Sequence, residues 1–208
     1  MSSNAPTPLI AVVDYGAGNL RSVAKALEDL DFRVLVTDEA ADLNKADGVV
    51  FPGQGIAGPC MVRLRSAGMD SALQDLIARD TPFFGVCLGQ QLLFERTEEG
   101  DAECLGILPG ECIRFSHDLT VPHMGWNDVT FTRDHPAVVN IPPNYQFYFV
   151  HSYHVRPASE DMNLGITDYG GPFASVVARD KLIATQFHPE KSGRPGLALY
   201  RDFFNWAI

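Results

Sequence analysis

The sequence predicts an α/β fold: an open, mostly parallel central sheet with flanking helices and a smaller antiparallel portion. Three observations predict it. In the first half, short apolar runs alternate with stretches of helical spacing, the pattern of βα units. Those runs end at special segments, YGAGN, PGQG and Cys87, where a parallel sheet gathers its sites. In the second half, strand-like segments follow one another with Gly and Pro turns and no long helix until the end.

Residues 9–14 (LIAVVD) are an apolar strand ending at a Gly-rich turn. Leu20, Val23, Ala24, Leu27 and Leu30 recur at helical spacing, so residues 20–30 form a helix. Residues 32–37 read as the second strand and 48–51 as the third, stopped by Pro52 and Gly53. Residues 57–79 hold two helical stretches broken near Gly68, and 82–86 form a fourth strand running into Cys87. Residues 88–95 (LGQQLLFE) have helix-forming composition. Further strands are expected at 111–115, 126–131, 146–150, 174–178 and 181–186, the last two joined as a hairpin turning near Asp180 and Lys181. Residues 195–206 close the chain as an amphipathic helix. No repeat or linker divides it, so residues 1–8 are expected to be a flexible tail and 9–208 a single domain.

Bulk properties narrow the function. The net charge of −10, from 26 acidic and 16 basic residues, argues against binding nucleic acid or anionic lipid. No apolar run approaches the ~20 residues of a membrane helix, and the start, MSSNAPTP, lacks a basic cluster before an apolar core. Cys60, Cys87, Cys104 and Cys112 form no C-x-x-C pair, and no Cys/His spacing reads as a zinc site, so neither metal nor other cofactor is expected. A cytoplasmic protein with reduced thiols follows.

Cys87 lies in GVCLGQQ, between an apolar strand and a helix, with Gly85 and Gly89 two residues either side. That is a nucleophile elbow with cysteine in place of serine. Small neighbours let the turn tighten, a helix start favours thiolate, and its free N–H groups, beginning with Leu88, can meet an oxyanion. In QFHPEK, Pro189 biases His188 to an extended conformation, and residues two apart on such a segment share a side. His188 and Glu190 thus complete a nucleophile–base–orienter set with Cys87. His117, His123, His135, His151 and His154 are rival bases, but none both follows an apolar strand directly and precedes a carboxylate by two residues. PGQG permits a peptide flip toward an oxyanion. PHMGWN and YFVHSYH read as an aromatic and polar rim facing substrate or partner.

PGQG, GVCLGQQ and FHPEK, in that order, resemble the class I, triad-type glutamine amidotransferases. DYGAGNLRSV, PHMGWN, YFVHSY and FHPEKS extend the resemblance from Ile10 to the last helix, toward the branch that serves imidazole glycerol phosphate synthase in L-histidine biosynthesis. The resemblance implies a fold of that class and hydrolysis of L-glutamine to glutamate and ammonia through a cysteine thioester. It implies a separate (β/α)₈-barrel cyclase subunit, paired with this chain as a heterodimer, as recipient of the ammonia. It maps the nucleophile to Cys87, the base to His188, the triad carboxylate to Glu190, and the oxyanion donors to the backbone of Leu88 and the Gly53–Gln54 peptide. It places glutamine contacts at Gly55, Gln91, His151, Ser152 and Tyr153, and the partner face at Asn19, Trp126, Tyr148 and Lys191. Gln54 and Gln90 stand where other members often carry apolar residues, which leaves backbone donors intact. A glutaminase serving another synthase, a different cysteine hydrolase and a non-catalytic binding subunit are the competing readings.

Overall fold

The computed structural model describes residues 6–16, 18–143 and 145–208. Of the expected tail, residues 1–5 lie outside the described residues, while the carbonyl of Pro8 already accepts a hydrogen bond from Arg33 N at 3.0 Å. The first half runs β1 (Leu9–Val13), α1 (Leu20–Glu28), β2 (Arg33–Thr37), α2 (Ala40–Leu43), β3 (Gly48–Gly53), α3 (Ala57–Ser66), α4 (Met69–Ala78), β4 (Phe83–Cys87) and α5 (Leu88–Gln91). The second runs β5 (Arg96–Thr97), β6 (Ala102–Glu103), β7 (Gly110–Arg114), β8 (His123–Asp128), β9 (Thr130–Phe131), β10 (Gln146–His151) and β11 (Tyr153–Pro157). It ends with β12 (Asn163–Asp168), β13 (Pro172–Arg179), β14 (Leu182–Thr185) and α6 (Gly193–Ala207).

The main sheet has the order β2-β1-β3-β4-β14-β13-β11-β7-β5-β6, with β12 paired to β13 and β9 to β12. From β2 to β14 the pairing is parallel. From β14 through β13 and β11 to β7 it is antiparallel, which is the expected smaller antiparallel portion. β8 and β10 form a separate antiparallel pair. Both faces of the parallel region are buried, so its strands read as unbroken apolar runs. Along β1, Ala11 and Val13 enter the core beneath α3 and α4, while Ile10 and Val12 enter the one beneath α1 and α6. Gly68, at φ 65°, takes the left-handed turn between α3 and α4. The hairpin is as expected: Arg179 pairs with Leu182, and Asp180 takes φ 52° in the turn.

Three expectations are corrected. β3 runs through Pro52 to Gly53 instead of stopping at Phe51. Its ladder with β1 ends at Val50, so beyond it β3 is paired only to β4, and a residue lacking an N–H is tolerated there. The helix expected over 88–95 ends at Gln91. Tertiary partners take its backbone: the carbonyls of Leu92, Leu93 and Phe94 accept from Leu105, Ile107, Leu108 and Gly106 at 2.8–2.9 Å. The strand expected over 126–131 is two strands, β8 and β9, on different sheets.

The two glycines flanking Cys87 are required by space. A Cβ on Gly89 would lie 1.8 Å from the carbonyl oxygen of Phe51, and one on Gly85 would lie 2.9 Å from the Cβ of Ala184. The first contact is with backbone and cannot be relieved by a rotamer change. Gly89→Ala is expected to cost about 3 kcal/mol or more in urea unfolding, as an overpacked core does. Gly100→Ala, at φ +73° with open space around it, should cost about 1 kcal/mol. Equal losses would show that the contact at Gly89 is not restrictive.

Candidate active site

Cys87 ends β4 with φ 54° and ψ −111°, a conformation L-residues rarely adopt. Holding a residue there costs of order 1–3 kcal/mol and persists only where the surroundings enforce it. Gly89 over Phe51 and Gly85 against Ala184 supply that enforcement. The register pairs Gly53 with Cys87, so the end of β3 and the start of α5 lie side by side. The expected oxyanion donors, Leu88 N–H and the Gly53–Gln54 peptide, therefore flank the sulfur. The first-turn N–H groups of α5 have no partner within the helix.

His188 is extended, with φ −99° and ψ 100°, as Pro189 requires. Its pairing with Glu190 has a different origin from the one expected. Pro189–Lys191 is a 3₁₀ turn, and this turn brings the carboxylate back under the ring. His188 Nδ1 donates to Glu190 Oε1 at 2.8 Å, and both side chains are essentially inaccessible. Asn19 Nδ2 donates to the same Oε1, and the Tyr200 hydroxyl donates to Oε2 at 3.5 Å. The backbone is also fixed: His188 N donates to Tyr148 O at 3.0 Å, and Ser192 Oγ donates to His188 O at 2.6 Å. Among the described residues, Nε2 of His188 is buried with no conventional hydrogen-bond partner, which leaves it for Cys87. Burial pushes this imidazole down, but the neighbouring Cys87 and the Glu190 carboxylate outweigh burial and hold it up at about 10.

Cys87 and His188 open into a cavity of about 440 Å³ that is also lined by Gln54, Gly55, Leu88, Gln91, His151, Ser152 and Tyr153. That volume suits a small polar substrate. Every residue expected to contact glutamine is on this wall. Of the expected partner-facing residues, Tyr148 and Lys191 line its mouth, with the ammonium of Lys191 5.9 Å from the centre of the Tyr148 ring. Trp126, half exposed, packs edge-on to Tyr148 at 6.1 Å. Asn19 instead directs its amide to Glu190. A hollow of about 900 Å³ lined by residues such as Arg133 and Val139 is larger, but it holds no thiol and is built from other residues.

Glu99, Pro122 and Val150 complete the cavity wall; Pro122 and Val150 belong to PHMGWN and YFVHSYH, the segments expected as a rim facing substrate or partner, whereas nothing in the sequence singled out Glu99. Glu99 sits in a charged turn, and its carboxylate accepts from Ala57 N at 2.8 Å. Gln186 was visible in QFHPEK but had no assigned role; its Nε2 stands 3.6 Å from the Cys87 sulfur. Cys60, Cys104 and Cys112 are buried thiols raised in pKa by that burial, as expected of inert cysteines. Among the rival histidines, burial lowers His123 to about 4 and His151 to about 3, which suits neutral hydrogen-bonding rings.

Residues 11–206 match the glutamine amidotransferase class-I family. Two solved structures share the fold: one described as a glutamine amidotransferase (TM-score 0.75, 20% identity, 95% of this chain and 98% of that one), and PurLQS from Thermotoga maritima (TM-score 0.77, 17% identity, 98% and 100%). The chain belongs to the class-I glutamine amidotransferases, enzymes that release ammonia from glutamine. It is 46% identical over 201 residues to imidazole glycerol phosphate synthase subunit HisH of Dehalococcoides mccartyi strain 195, covering 96% of this chain and 98% of the relative. It is 47% identical over 209 residues to the HisH subunit of Aromatoleum aromaticum, covering 95% and 98%. Within the class it is therefore a glutaminase subunit of the imidazole glycerol phosphate synthase kind.

The histidines give stability opposite pH limbs. His188 lies above its ordinary 6.5 in the folded state, so its contribution is complete below about 6.5 and is lost as pH climbs toward about 10. His123 and His151 lie below 6.5, so theirs is complete above it and is lost as pH falls toward about 4 and 3. Urea midpoints should decline on both sides, and His188→Gln should flatten the alkaline limb while leaving the acid limb. An alkaline limb unchanged in His188→Gln is the contrary result.

Proposed function

We propose that Cys87, His188 and Glu190 form the catalytic triad of this glutaminase, and that its ammonia goes to a (β/α)₈-barrel cyclase subunit. The observation that carries the reading is a cysteine on a strained strand–helix turn sharing a cavity with a histidine whose other nitrogen is held by a buried glutamate. The sulfur attacks the side-chain carbonyl of glutamine, and the oxyanion is met by Leu88 N–H and the Gly53–Gln54 peptide. Losing one such donor raises a comparable barrier by ~3 kcal/mol. His188 passes a proton to the leaving ammonia, then takes one from the water that cleaves the γ-glutamyl thioester. Glu190 holds the imidazole tautomer and stabilises its cation. Gly55, Gln91, His151, Ser152 and Tyr153 hold the substrate. Glu99 is the one carboxylate among the described lining residues and suits its α-ammonium group.

Neutral ammonia is the nucleophile the second reaction needs, and an enclosed path protects it from protonation in bulk water. The cluster of exposed Trp126 and Lys191 around half-buried Tyr148 beside the cavity supports a docking face there. The relatives bear the name of a subunit of imidazole glycerol phosphate synthase, which supports a heterodimer in the cytoplasm producing imidazole glycerol phosphate on the way to L-histidine. The Gly53–Gln54 peptide, at the loop tip beside Cys87, is the element through which partner binding would raise activity.

Cys87→Ala should lower glutamine turnover by at least ~10³-fold while still binding the cyclase in co-purification. Wild-type turnover should be low alone and rise strongly when the cyclase and its ligand are added. Turnover retained in Cys87→Ala would remove the nucleophile assignment, and equal rates with and without the partner would remove the coupling.

A further inference from the structure

Gln186 ends up beside the nucleophile by an arrangement that leaves its amide one orientation. The Tyr153 carbonyl can only accept hydrogen bonds. It accepts from His151 Nδ1 at 2.8 Å and from Gln91 Nε2 at 3.0 Å. The second contact fixes which end of the Gln91 amide carries the nitrogen. That same nitrogen lies 3.0 Å from Gln186 Oε1, so it donates there as well. With its oxygen held, Gln186 presents its NH₂ to the Cys87 sulfur at 3.6 Å. The reversed amide would set donor against donor at Gln91 and oxygen against sulfur at Cys87.

The histidines behind Tyr153 are fixed by the same logic. His151 donates through Nδ1, so as a neutral ring it accepts at Nε2 from His123 Nδ1 at 3.0 Å. His123 then accepts at Nε2 from Asn127 Nδ2 at 3.2 Å. An oriented network thus runs from β8 through His123, His151, the Tyr153 carbonyl, Gln91 and Gln186 to the sulfur, with the Tyr153 carbonyl accepting from both sides. The Gln186 and Gln91 side chains are buried, so water does not compete for these bonds.

We propose that Gln186 is a further catalytic residue: its amide N–H donates to the Cys87 thiolate and holds the sulfur for attack, with Gln91 as the positioning residue that fixes the donor. The inference rests on Cys87 being the nucleophile of the proposed function. The physical need is clear from the proton path. His188 hands its proton to the leaving group and so cannot remain a constant partner of the sulfur. A carboxamide does not titrate and stays a donor throughout. The other ionisable groups around the cavity are His188, His151, Glu99, Lys191, Tyr148 and Tyr153, with Tyr15 and Cys112 behind. None of them is a neutral, non-titrating donor to sulfur.

The test is the pH dependence of Cys87 alkylation by iodoacetamide in the full-length chain, with Cys87→Ala as the blank for the other thiols. In Gln186→Met, the pH of half-maximal rate should rise by about one unit. The kcat for glutamine should fall by about tenfold or more, with a smaller change in KM. Should Gln186→Met fail to fold, Gln91→Met decides: it leaves Gln186 in place but unfixed, and its alkylation profile should move the same way by a smaller amount. A wild-type profile in a folded Gln186→Met, or in Gln91→Met where only that variant folds, overturns the proposal. Glutamine turnover in Cys87→Ala separates the two claims: activity there removes the nucleophile itself. An inactive Cys87→Ala beside an unshifted Gln186→Met profile removes only the role of Gln186.

Discussion

The site depends on one backbone contact, the approach of Gly89 to the carbonyl of Phe51, where no side chain fits. That approach lets the chain leave β4 and enter α5 within a single residue, and the strain falls on Cys87. It sets the start of α5 beside the end of β3, so donors from two elements flank one sulfur. A bulkier residue would push α5 away, and the elbow, the donor pair and the cavity floor would be lost together. The strain stored at Cys87 is sustained by the two apolar cores on either face of the sheet.

Electrostatics divides the histidines into two kinds. His188 has a buried carboxylate behind it and a sulfur ahead, and these overcome the cost of burying a cation. His123 and His151 are also buried, but their hydrogen-bond partners are each other, an amide and a carbonyl, with no carboxylate among them. Burial alone governs His123 and dominates at His151, and both stay neutral. Within one protein the same side chain is thus held charged in one place and neutral in others, according to whether an anion lies within reach.

Much of this was legible in the sequence because it is local. The apolar runs of β1, β3 and β4, the left-handed turn at Gly68 and the hairpin at Asp180 follow from neighbouring residues alone. The glycines around Cys87 announced a tight turn before any contact was known. What was hidden is long-range. The helix after Cys87 stops at Gln91 because residues 105–108 occupy the following carbonyls, and no propensity scale sees that partner. The His188–Glu190 pair was anticipated for the wrong reason, since two-residue periodicity and a 3₁₀ turn can place the same groups together. Glu99 reaches the cavity, and Gln186 the Cys87 sulfur, only through folding, one from a charged turn and one from a strand end.

Glu190 Oε1 accepts from Asn19 and from His188 at once, two donors on opposite flanks of the sequence. Asn19 and Glu190 are 171 positions apart, yet a single oxygen joins the entry to α1 with the His188 imidazole. The amino-terminal segment therefore acts as a clamp as well as a scaffold strand. A shift of the β1–α1 junction would therefore reach the His188 imidazole directly through that oxygen, without passing through the sheet.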